Sequence, residues 1–170
     1  MQHCQNGYPA FRLVHFHTLY YMATIRVTKE FTFEMAHALL GYDGSCRFVH
    51  GHSYGLIVTV KGKTVKDISN PKLGMVIDFG DLKKIVRETI VNKFDHALVL
   101  NSKTPHESLK GSNEMFDKMI FVDYQPTSEN LVVDFAEKLT ARLPEGIELH
   151  SLRLRETATS YAEWFAEDNL

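Results

Sequence analysis

His37, Cys46, His50 and His52 fall within sixteen residues of one another, in side-chain types that bind zinc and similar transition metals. Three imidazoles with no obvious fourth partner suit a catalytic centre that keeps one coordination position open. The spacing has a strand logic. Side chains two apart on an extended chain share a face, so His50 and His52 point the same way across Gly51. Upstream, Phe31, Phe33, Met35 and His37 alternate in the same manner. Pairing of 24–37 with 50–61 as an antiparallel hairpin would bring His37 beside the other two at one strand end. A second His-x-His pair, His15 and His17, has no third ligand in register with it and carries no metal expectation.

Other groups could work beside such a metal. Cys46 lies four residues before His50, in the loop that closes the hairpin. A neighbouring dication or imidazolium would populate its thiolate, which could then act as general base, nucleophile or fourth ligand. The ligand role would close the site, but Cys-x-x-x-His-x-His in one loop and strand crowds a tetrahedron. Asp95 and His96 are adjacent, and a carboxylate can orient an imidazole for proton transfer. Neighbours on extended chain nonetheless face opposite sides. Glu156 ends a strand-like run, where a solvated glutamate is equally ordinary.

The elements that must hold these residues read clearly. After the hairpin, Asp78 can cap a helix with Asp81 three residues on and an apolar stripe Leu82, Ile85, Val86, Ile90. A second helix comes after Pro126, with Leu131, Val132, Phe135, Ala136, Leu139 and Leu143 at three-four spacing, ended by Pro144 and Gly146. Residues 102–119 are polar and loop-like, before the short apolar run Ile120-Phe121-Val122. Two further strand-like runs, 147–156 and 160–166, close the chain. The fold class is therefore α+β: an antiparallel four-stranded sheet with two helices on one face and two open edges that invite pairing between subunits.

Composition bounds the rest. With 170 residues, 44% hydrophobic, 24% charged and a net charge of −2, this is an ordinary globular chain with no basic run to favour nucleic acid. Two cysteines make no disulfide framework and fit a reducing cytoplasm. No apolar run approaches the ~20 residues that span a bilayer. Residues 1–21 lack a signal-peptide pattern and differ in character from the rest of the chain, while clean strand alternation starts just after Met22. The expectation is either Met22 as the biological start or a loosely attached N-terminal extension over 1–21, ahead of a single catalytic domain over 22–170.

Taken in order, six segments resemble one family: Phe33-Glu34-Met35-Ala36-His37; Cys46-x-x-x-His50-Gly51-His52-Ser53-Tyr54; Gly74-Met75-Val76-Ile77-Asp78-Phe79-x-x-Leu82-Lys83; Asp95-His96-x-Leu98-x-x-Asn101; Pro126-Thr127-Ser128-Glu129-Asn130-Leu131; and Arg155-Glu156-Thr157. The chain is similar to the 6-pyruvoyltetrahydropterin and 6-carboxytetrahydropterin synthases over about residues 22–167. The resemblance implies the tunnelling fold, in which trimers close their sheets into a barrel and two trimers stack as a hexamer. It implies active sites at subunit interfaces with zinc held by His37, His50 and His52, Cys46 as base, and Asp95 and His96 as its relay. Glu156 would anchor the pterin ring, with Thr127, Ser128 and Glu129 lining the pocket. The short Cys-x-x-x-His spacing resembles the 6-carboxy enzymes of the queuosine pathway, which act on 7,8-dihydroneopterin triphosphate. The alternatives are the 6-pyruvoyl reaction on that substrate and a pterin- or metal-binding oligomer without turnover. Residues 1–21 and the 102–119 loop depart from the family pattern without touching a motif.

Overall fold

The computed structural model describes residues 23–169, so the expected extension over 1–21 and start at Met22 lie outside the described residues. Strand β1 (Ile25–His37) pairs antiparallel with β2 (His50–Gly62) along its whole length, from Ile25 opposite Gly62 to His37 opposite His50. The alternation seen in the sequence sets the register. Phe31, Phe33, Met35 and His37 of β1 and Tyr54, Leu56, Val58 and Val60 of β2 are buried on one face. A slip of one residue would turn that whole set to the other face.

Helix α1 (Phe79–Val86) starts where its cap predicts. The Asp78 carboxylate accepts the backbone N–H groups of Gly80 (2.6 Å) and Asp81 (3.3 Å). The helix runs on through a π-turn at Arg87–Val91 and ends in the single turn Asn92–Phe94. Two short strands come next, β3 (Ala97–Asn101) and β4 (Met119–Val122), and then α2 (Ser128–Thr140), capped by the Thr127 hydroxyl. β5 (Ile147–Arg155) and β6 (Tyr161–Phe165) complete the chain. The stripe of α2 is buried at Leu131, Val132, Phe135, Ala136 and Leu139. The helix stops at Thr140, short of Leu143, and Gly146 takes the left-handed φ of 80° that turns the chain into β5.

The expected four-stranded antiparallel sheet is corrected to a mixed sheet of six, in the order β4-β3-β1-β2-β5-β6. The expected hairpins are its antiparallel part. β3 lies parallel to β1 over Met35–His37, and β4 lies parallel to β3. Both added strands are short and apolar, so they lack the alternation that marks a half-exposed strand. Between them, residues 102–118 hold two short 3-10 turns, Glu107–Leu109 and Glu114–Phe116.

Both helices cover one face. Phe33 stacks on Tyr54 with ring centroids 5.4 Å apart and meets Phe135 edge-on at 6.4 Å, so α2 is locked over the strands that carry the histidines. Each fully buried side chain of this size contributes about 1.5–3 kcal/mol. Such packing holds the sheet end rigid. Among the described residues, Ile25–Glu34 of β1 has a strand partner on its β2 side only, and β6 has none on its outer edge. Among the described residues, no helix is long and apolar enough to cross a membrane.

Candidate metal centre

The β1–β2 register places His37 directly opposite His50, and His52 one same-face step along β2. Ring centroids lie 4.6 Å (His37–His50), 5.3 Å (His37–His52) and 4.9 Å (His50–His52) apart, and the three ligand atoms all fall within 4.8 Å. His37 is buried; His50 and His52 are half-buried.

Backbone carbonyls fix two of the tautomers. His37 donates its Nδ1–H to the Pro126 carbonyl at 2.7 Å, and His50 donates its Nδ1–H to the Phe48 carbonyl at 2.8 Å. Each ring therefore turns an unprotonated Nε2 inward, and these two atoms face each other at 3.1 Å. Two lone pairs so placed repel, and a cation between them removes the conflict. A carbonyl holding the remote nitrogen is the usual support of a metal-bound histidine. Burial lowers the pKa of His37, outweighing the opposing pull of the Pro126 carbonyl and Glu156, and keeps the ring in the neutral form a metal needs. The donor set fits a divalent transition metal.

Glu156 sits beside this cluster. Its Oε1 lies 3.5 Å from Nε2 of His37 and 3.9 Å from Nε2 of His52, and it accepts the Tyr54 hydroxyl at 3.0 Å. The side chain is only a quarter exposed. Its backbone N–H bonds the Ser160 carbonyl at 3.0 Å, closing the turn between β5 and β6.

Cys46 lies half-buried in the 3-10 turn Ser45–Arg47 between β1 and β2, its carbonyl accepting Leu39 N–H at 2.9 Å. Burial first, then Glu156 and the nearby Cys46, raise the pKa of Tyr54. Among the described residues, the donor cluster holds the three imidazoles without Cys46. At the start of α2, Thr127 is the cap, Ser128 is buried with an unpartnered Oγ, and Glu129 is exposed. Gln125 ties this segment to the loop after β1 by two bonds with the Leu40 backbone, at 3.1 and 2.8 Å.

Asp95 and His96 stand elsewhere. Met35 pairs with Ala97, so His96 falls in line with Glu34, on the sheet face away from the imidazoles. The Asp95 carboxylate accepts the Glu34 backbone N–H at 2.9 Å and contacts His96 Nδ1 at 3.1 Å. His96 donates its own N–H to the Glu34 carbonyl and takes a left-handed φ of 59°. The Glu34 N–H, with His96 and Lys118, holds the Asp95 carboxyl below the usual carboxylate range despite partial desolvation. With Gly51, His52, Ser53, Met115 and Lys118, His96 lines a cavity of about 440 Å³. One chain thus presents the imidazoles, Glu156 and the start of α2 on one face, and the Asp95–His96 pair on the other.

Sequence reasoning gave no role to Tyr54 or to the carbonyls of Phe48 and Pro126. Tyr54 carried a signal, since it lies one same-face step beyond His52. The carbonyls carried none, because a backbone acceptor has no side-chain identity.

Comparison with known proteins extends the picture. Residues 26–167 match the family model described as 6-pyruvoyl tetrahydropterin synthase. The chain is 37% identical, over 141 residues, to a Haemophilus influenzae protein named 6-carboxy-5,6,7,8-tetrahydropterin synthase, covering 82% of this chain and 97% of that one. A protein of the same name from Rickettsia typhi is 30% identical over 141 residues, covering 82% and 99%. In fold, the chain is similar to an uncharacterised protein of Wolinella succinogenes, with a TM-score of 0.69 at 23% identity, covering 85% of this chain and 99% of that one.

Proposed function

The chain belongs to the 6-pyruvoyl tetrahydropterin synthase family, and from that premise we propose that residues 22–170 form one catalytic unit, a zinc-dependent lyase. It converts 7,8-dihydroneopterin triphosphate to 6-carboxy-5,6,7,8-tetrahydropterin, releasing triphosphate and acetaldehyde, as a cytoplasmic step of queuosine biosynthesis. The observation that carries this reading is the Glu156 carboxylate within 4 Å of two imidazoles of a three-histidine cluster. It sets a ring-anchoring acceptor beside a metal-binding group.

His37, His50 and His52 would hold the zinc. When bound, it supplies a Lewis acid that polarises side-chain hydroxyls and acidifies the protons beside them. Glu156 accepts the N–H groups along the pyrimidine edge of the pterin, and a carboxylate has acceptor sites enough to do so while bonded to Tyr54. Thr127, Ser128 and Glu129 line the same pocket. Cys46, as thiolate, takes a proton from the substrate side chain.

Asp95 and His96 relay that proton in the site of a neighbouring subunit, in keeping with their place on the opposite face. A homo-oligomer is the consequence, a hexamer of two stacked trimers in which the free edges of β1 and β6 pair between copies. The family description supports a second reading, elimination of triphosphate to a 6-pyruvoyl product. Mass spectrometry of the products from 7,8-dihydroneopterin triphosphate decides. A 6-carboxy product with acetaldehyde supports the first reading, a 6-pyruvoyl product the second, and unchanged substrate with zinc-loaded protein sinks both.

A further inference from the structure

We propose that Tyr54 is a positioning residue of this site, whose hydroxyl sets the orientation of the Glu156 carboxylate and keeps it turned to the pterin; the inference rests on the reading above.

The geometry is specific. Tyr54 is fully buried, and its ring is clamped against Phe33. Its ring also meets His37 and His52 edge-on, with centroids 6.3 and 5.7 Å away, so the hydroxyl emerges between the imidazoles and Glu156. A buried phenol needs a hydrogen-bond partner, and among the described residues Glu156 Oε1 supplies it. That oxygen is also the one nearest the imidazole nitrogens, at 3.5 and 3.9 Å.

The bond has two effects. It holds a side chain with three rotatable bonds in a single pose, so the pterin meets a carboxylate already aimed. It also occupies Oε1 with a proton donor, which opposes its turning into the open position of a metal held by the histidines. Tyr54 is not one of the three imidazole donors. It acts through Glu156.

Tyr54→Phe deletes only the hydroxyl and keeps the ring packing. Binding of neopterin, a pterin without phosphates, is measured on the zinc-loaded wild type, Tyr54→Phe, Glu156→Gln and the double variant, with zinc content and thermal midpoint alongside. The expected result is a roughly tenfold loss of neopterin affinity in Tyr54→Phe. No further loss appears when the same change is made in Glu156→Gln, and zinc stays at one per chain throughout. Turnover should show the change mainly in KM. An equal loss in both backgrounds, wild-type affinity in Tyr54→Phe, or loss of zinc from that variant overturns the proposal. If the wild type binds no neopterin, the pterin reading fails on its own. Non-additive thermal midpoints of the four chains would then support Tyr54 as the holder of Glu156, and additive ones would overturn it.

Discussion

His37 and His50 face each other across β1 and β2 with their Nε2 atoms 3.1 Å apart, each ring donating its Nδ1–H in a hydrogen bond to a backbone carbonyl. The pair is ready for a cation. One divalent ion per chain is therefore expected, with nitrogen ligands at ~2.0–2.1 Å. His52→Ala removes a half-buried ring and should abolish metal binding and activity while the fold survives. His37→Ala should also cost about 1–3 kcal/mol of stability, because it leaves the Pro126 carbonyl without its donor. Metal analysis of His52→Ala checks the assignment, and full occupancy there would refute it.

Cys46 separates base from ligand. Its absence from the donor cluster predicts that Cys46→Ala keeps zinc and still binds pterin, yet loses turnover by about 10²–10⁴-fold. Zinc content and single-turnover rate measured on one preparation give the answer. Metal lost in step with activity would make the thiolate a fourth ligand.

The sequence made the meeting of the three histidines legible because strand alternation is a two-residue code. His50-x-His52 and the run ending at His37 allow one register, and the hairpin adopts it. Asp78 as helix cap was equally readable, since capping depends on local chemistry. β3 and β4 were not. Strands of five and four residues, apolar but for Asn101, carry no periodicity, and their parallel pairing depends on contacts far along the chain. The separation of Asp95–His96 from the imidazoles was hidden for a related reason. Only the pairing of Met35 with Ala97 decides which face His96 takes. The Tyr54–Glu156 bond spans 102 residues and likewise needs the folded sheet.

Glu156→Gln tests the ring anchor. The amide must turn a donor toward the ring N–H groups or toward Tyr54, which already donates to this position. Affinity for a pterin without phosphates should fall by roughly 2–4 kcal/mol, measured by calorimetry on zinc-loaded protein. Unchanged affinity would return Glu156 to the status of an ordinary strand-end residue.

Asp95 gives a pH signature. The Glu34 N–H, His96 and Lys118 depress its folded pKa, so its contribution to stability is complete above the unfolded value near ~3.9 and disappears as pH falls through the folded one. Asp95→Asn should lower the thermal midpoint at pH 6 and converge with wild type near the acid end. The side chain is 38% exposed, so solvent screening limits the gap to a few degrees at most, about 1 kcal/mol or less. Thermal scans between pH 2 and 6 read it directly. Curves that stay parallel throughout would mean that the carboxylate is not the group being titrated.

The proposed site shared between subunits makes assembly testable. In the proposed site, Cys46 and the imidazoles of one chain work with Asp95 and His96 of a neighbour, because within one chain the Asp95–His96 pair is bonded at Glu34 and stands apart from the three-imidazole donor cluster. Activity should therefore track the oligomer and vanish on dilution into smaller species. The same logic bears on the N-terminus. Among the described residues, the first strand begins at Ile25 and the family match at residue 26, and in the proposed assembly closure between copies would use the edges of β1 and β6. A chain starting at Met22 retains every one of those edges and every site residue, so it should assemble and turn over like the full chain. Sedimentation and activity on the two chains, side by side, decide the matter. A truncated chain that dissociates or loses activity would show that residues 1–21 belong to the working assembly, and that the catalytic unit does not begin at Met22.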